Sequence, residues 1–84
     1  MGKKAYTYMV RCQDQSLYTG WTYDLDKRII AHNQGKGSKY TRSKGPVTLV
    51  YFESFENKTD AMRREVAIKK LNHQKKEALI RSSE

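Results

Sequence analysis

The sequence predicts an α/β (α+β) domain, a three-stranded antiparallel sheet flanked by helices in the order β-β-α-β-α-α. Three observations carry that reading. Residues 5–22 hold two stretches of strand chemistry separated by a polar turn. A near-continuous apolar run, Val47 to Phe52, follows Pro46. Other apolar residues recur at helical spacing behind the capping residues Asp24, Asn57 and Asn72. With 84 residues the chain is expected to form one domain, residues 1–84. A chain this short buries only roughly 60–65% of its unfolded surface, so its core is small.

Ala5 to Cys12 alternates. Tyr6, Tyr8, Val10 and Cys12 fall on one side, and Thr7, Met9 and Arg11 on the other, the pattern of a strand rich in aromatic and β-branched residues. Gln13 to Ser16 is a polar turn. Leu17 to Thr22 resumes strand chemistry, so the two stretches form a hairpin in which Tyr8 and Tyr18 approach one surface. Asp24 is a plausible N-cap, and Asp26 adds negative charge to the first helical turn. Leu25, Ile29 and His32 follow at i, i+4 and i+7. Arg28 and His32, four residues apart, share a helix face. Gly35 ends this helix.

Residues 35–46, GKGSKYTRSKGP, read as a loop with three glycines, four cations and Tyr40. The near-continuous apolarity of Val47 to Phe52 predicts a central strand buried on both faces. Asn57, with Asp60 three residues on, caps a helix running to about Leu71. On it Ala61, Glu65 and Ile68 recur at i, i+4 and i+7, which puts a carboxylate on an otherwise apolar stripe. Asn72 caps a last helix through Ile80.

The chain carries 17 Lys and Arg against 9 Asp and Glu, formally +8, which favours a polyanionic partner. No apolar run approaches the ~20 residues of a membrane span. The first residues, MGKKAYTYMVRC, lack a long apolar stretch and a small-residue cleavage site, so no signal peptide is expected. The lone Cys12 is read as a small core hydrophobe in a reducing, cytoplasmic compartment. No serine or cysteine stands in a nucleophile arrangement, and no glycine-rich phosphate cradle precedes a helix. Two histidines without neighbouring cysteines do not make a zinc site.

Some side chains carry chemistry. A carboxylate facing a sheet is costly unless paired or coordinated, so Glu65 either holds a cation such as magnesium, pairs with Arg28, or turns outward. Arg28 offers a fork of donors suited to phosphate, or is a surface helix arginine. Lys39, Arg42 and Lys44 around Tyr40 match a nucleic-acid-contacting loop, where charge meets phosphate and a ring stacks; a solvated loop is the plain alternative. Tyr8 and Tyr18 alone would be strand aromatics of the core, and His32 a partly buried helix histidine.

Taken together, these residues resemble the GIY-YIG nucleases, named for two tyrosine-containing tripeptides on adjacent strands. Tyr6-Thr7-Tyr8 stands where the first tripeptide should be, with Tyr6 and Thr7 replacing its glycine and isoleucine. Tyr18-Thr19-Gly20 stands for the second. Arg28 falls on the family's helical arginine, Glu65 on its metal-binding glutamate, and His32 and Tyr40 on further positions common in a subgroup. LYTGWTYDLDKR, AHNQGKGSKYTR and REVAIKKL are most like the small single-domain bacterial members. The resemblance implies a DNA endonuclease dependent on Mg2+ or Mn2+, acting on branched or single-stranded DNA in repair or recombination. In that mechanism Glu65 holds the metal and Tyr8 or Tyr18 directs or deprotonates the attacking water, Tyr8 being favoured as base. Arg28 neutralises developing charge, while His32 and Tyr40 orient water or phosphate. Many members carry a separate DNA-recognition domain, and none is read here. A nucleic-acid-binding module that keeps the fold without catalysis is the alternative, and a basic interaction protein a third.

Overall fold

Alternating aromatic and aliphatic residues form the N-terminal hairpin. The computed structural model describes residues 3–83. In it β1 (Ala5–Arg11) pairs antiparallel with β2 (Leu17–Thr22). Asp14 closes the turn between them, its carboxylate accepting from the Ser16 N–H at 3.0 Å and the Ser16 hydroxyl at 2.5 Å. Tyr8 stands opposite Gly20, and Val10 opposite Tyr18. Residues directly opposite share a face, so Tyr8, Tyr18 and Gly20 lie on one side of the sheet and Thr7, Met9 and Trp21 on the other.

Three helices begin where the capping side chains predict. Asp24 accepts from the Lys27 N–H at 3.1 Å to start α1 (Leu25–Asn33). Residues 35–46 are not wholly a loop: Ser38 caps a single helical turn, α2 (Lys39–Arg42). β3 (Thr48–Phe55) follows. Then Asn57 caps α3 (Lys58–Lys69) through the Asp60 N–H at 2.9 Å, and Asn72 caps α4 (His73–Ser82) through the Lys75 N–H at 2.8 Å.

The sheet order is β2-β1-β3, which corrects the expectation that Val47 to Phe52 is central. β3 is an edge strand, and Phe52 on it is 53% exposed. The central strand is β1, whose double burial is disguised by its polar residues. Thr7 is fully buried because its hydroxyl donates to the Ala61 carbonyl at 2.6 Å. Arg11 is clamped by both carboxylate oxygens of Glu77 at 2.7 Å. Tyr8, Val10, Cys12 and Val47 form a core on one face, with Leu25 and Ile29 of α1 packed against it. Met9, Tyr51, Ile68 and Ile80 form the other, under α3 and α4. Cys12 is a buried free thiol in the first core. Among the described residues, no helix is long and apolar enough to cross a membrane.

Candidate active site

The site starts from a missing side chain. Gly20 faces Tyr8 across the hairpin, and a Cβ there would stand 2.6 Å from the Tyr8 hydroxyl oxygen. The Tyr8 ring therefore lies across Gly20, reaching over β2, and is 1% exposed. The hydroxyl meets Nε2 of His32 at 2.8 Å, and Nδ1 of His32 meets Oγ1 of Thr41 at 2.8 Å. His32 and Thr41 are themselves buried. Thr41 Oγ1 also lies 3.4 Å from the Ser38 carbonyl, which can only accept. Ser38 Oγ also lies 3.1 Å from Thr41 Oγ1. With the threonine hydroxyl donating to Ser38, its oxygen accepts from Nδ1–H and Nε2 accepts from the Tyr8 O–H; with the other imidazole tautomer the direction of the whole line reverses.

Electrostatics keep this line neutral. Burial, and then the positive charge of Arg28, hold the His32 pKa below its usual 6.5. Burial pushes the Tyr8 hydroxyl well above 10; Tyr18 and Glu65 push the same way, while Arg28 opposes them. Arg28 acts towards the phenolate, but desolvation of the charged form outweighs it. The charges of Arg28 on α1 and Glu65 on α3 thus both act on the Tyr8 hydroxyl. Glu65 has a side chain only 18% exposed and pairs with Lys69 at 3.3 Å rather than with Arg28.

The remaining aromatics complete the wall. Tyr18 packs edge-on against His32, with ring centroids 5.3 Å apart, and stacks on Tyr40 at 5.9 Å. Lys44 lies 4.4 Å from the Tyr40 ring centroid and pairs with Asp14 at 3.0 Å. It therefore holds Tyr40 against the hairpin turn, where the sequence pointed to phosphate binding. The Gln13 N–H donates to the Lys44 carbonyl at 2.9 Å, and Asn33 bonds both backbone groups of Val47. These tie the segment carrying Tyr40 and Thr41 to rigid elements. Lys39 and Arg42 stand exposed on α2, and among the described residues neither forms an ion pair.

Thr41 and Gly37 were not singled out from sequence. A Cβ at Gly37 would stand 2.1 Å from Nδ1 of His32, so that glycine leaves room for the imidazole. Its only sequence signal is its place in a run of glycines and cations. Among the described residues, no three of His, Cys, Asp and Glu gather into a metal-binding group. A single, mostly buried carboxylate, paired in this structure with the exposed Lys69, fits Mg2+ or Mn2+ when the other oxygens come from water and a substrate phosphate, so Glu65 would hold such an ion.

A hairpin bearing two tyrosines, a helix bearing arginine and histidine, and a glutamate on a later helix are the arrangement on which the resemblance to the GIY-YIG nucleases rests. The chain belongs to the GIY-YIG family of nucleases: residues 4–78 match the family model described as the GIY-YIG catalytic domain. Within that family it is similar to a set of small proteins named UPF0213. It is 61% identical over 77 residues to the UPF0213 protein CPE1444 of Clostridium perfringens, covering 92% of this chain and 83% of the relative. The solution NMR structure of the UPF0213 protein BH0048 from Bacillus halodurans aligns with a TM-score of 0.59 at 48% identity, covering 92% of this chain and 82% of that one. That of EF2693 from E. faecalis aligns with a TM-score of 0.64 at 39% identity, covering 95% and 85%.

Proposed function

We propose that this protein is a metal-dependent DNA endonuclease in which Tyr8 and His32 together act as the general base. The observation that carries the reading is the buried line from the Tyr8 hydroxyl through His32 to Thr41, with the charges of Arg28 and Glu65 acting on its reactive end. A neutral tyrosine is a poor base on its own. Here its proton has an acceptor: as the Tyr8 oxygen takes a proton from the attacking water, its own proton passes to Nε2 of His32. Thr41 keeps Nδ1 protonated and Nε2 open. Arg28 neutralises the charge that builds on the phosphoryl oxygens. A divalent ion held by Glu65 would supply Lewis-acid polarisation of the phosphate. Tyr18 and Tyr40 wall the imidazole on its open side, and Lys39 and Arg42 hold flanking phosphates.

The test is a cleavage screen of branched, flapped, single-stranded and duplex DNA with Mg2+ or Mn2+. Cleavage of at least one form, lost in EDTA, is expected. Binding of these DNAs with no cleavage in either metal would favour the non-catalytic binding module.

A further inference from the structure

Beside the site lies a cleft of about 360 Å³, at the outer edge of β2 where the sheet gives way to α1. Its walls include Trp21, Tyr23, Lys27 and Arg28, with Asp24 and Ala31 beside them. The volume falls in the range of about 300–1,000 Å³ that small-ligand sites occupy. Trp21 and Tyr23 meet edge to face, with ring centroids 5.2 Å apart. Tyr23 is 43% exposed, and Lys3 lies 5.9 Å from its ring centroid. The aromatic pair presents flat apolar surface at the mouth of a strongly basic protein. Arg28, assigned above to the scissile phosphate, also lines this cleft. A polynucleotide whose phosphate reaches Arg28 thus enters the cleft that the aromatic pair also lines.

The geometry points to a nucleobase-binding pocket formed by Trp21 and Tyr23, which takes one unpaired base next to the bond that is cut. The inference rests on the nuclease reading and specifies its substrate as DNA with an unpaired nucleotide at the cleavage point. Base–aromatic stacking tolerates any sequence because every base has a π-face. A base held in a duplex is stacked on its neighbours and must be extruded at a cost to enter such a pocket. Lys27 and Arg28 supply the cations that hold the adjoining phosphates, and Asp24 offers a carboxylate at the pocket wall.

Trp21 is the chain's single tryptophan, so its fluorescence reports on the pocket directly. The experiment titrates the intact protein in EDTA with a single-stranded oligothymidylate, an abasic strand of equal length and a fully paired duplex. Stacking predicts strong quenching and the tightest binding with the oligothymidylate. It predicts that Tyr23→Leu weakens that binding roughly 10-fold, the scale of one lost stacked base, with little change for the abasic strand. Tyr23 is exposed, so this variant is expected to fold even if Trp21→Leu does not. Equal affinity for all three DNAs with unchanged emission overturns the pocket and leaves the nuclease reading standing. Failure to bind any of them overturns both.

Discussion

His32 is worth more to this site than its own charge. Its ring links two hydroxyls, and its neutrality is what lets Nε2 receive a proton. Its folded pKa lies below 6.5, so above that value the folded and unfolded chains both hold it neutral. As pH falls below about 6.5, the unfolded chain takes up a proton that the folded chain refuses. Stability is therefore full above that range and is lost progressively in acid, until pH reaches the lower folded value. NMR titration should show His32 ionising below 6.5, and Arg28→Gln should move that titration upward by removing a cation. A His32 that titrates at or above 6.5 contradicts the neutral relay. In single-turnover cleavage, Tyr8→Phe should cost roughly 100-fold or more, the usual scale of a general base, and Tyr18→Phe less. Tyr8, Arg28 and His32 were legible in the sequence because strand alternation and helical spacing group them locally. Thr41 was not, because its partner is nine residues away across a turn whose course the sequence does not dictate.

Two glycines decide how the elements meet around these side chains. Gly20 lets the Tyr8 ring lie across β2, and Gly37 lets the chain pass over His32. Both neighbours are buried and cannot swing aside. Gly20→Ala and Gly37→Ala should each cost about 1–3 kcal/mol through overpacking. In a chain of this size each kcal/mol lowers the melting temperature by roughly 4–8 °C, which thermal unfolding monitored by circular dichroism measures. Folded variants should also lose more activity than stability, because the intruding methyl displaces the atoms of the relay. An alanine at either position with a parental melting temperature would show that the close approach is not real. At this scale the caps at Asp24, Asn57 and Asn72 were legible, since each acts within its own turn. The place of β3 was not. Its run of Leu49, Val50, Tyr51 and Phe52 outranks β1 in apolarity, yet β1 is central because Thr7 and Arg11 find specific partners on α3 and α4.

The whole molecule combines a small neutral buried line, Tyr8 to Thr41, with a strongly basic composition. On the proposed reading, the formal charge of +8 draws in DNA without selecting a bond, and affinity should fall steeply with salt as each phosphate contact releases counterions. Replacing Lys39 and Arg42 together should flatten that slope by roughly two contacts' worth; an unchanged slope places the binding surface elsewhere. Lys44→Ala should act differently, loosening Tyr40, since Lys44 is engaged by Asp14. Charge was legible from composition, whereas the engagement of Lys44 by Asp14, and the exposure of Lys39 and Arg42, depended on the fold. Glu65 joins the exterior to the centre, as a carboxylate close enough to act on Tyr8 yet on a different helix from Arg28 and His32. The most direct measurement compares Glu65→Gln with the parent for Mn2+-dependent cleavage and for DNA binding in EDTA. The substitution keeps the shape and removes the charge. Cleavage should be abolished, while metal-free binding stays equal or becomes slightly tighter because a negative charge near phosphate is gone. A Glu65→Gln protein that cleaves as fast as the parent contradicts the account.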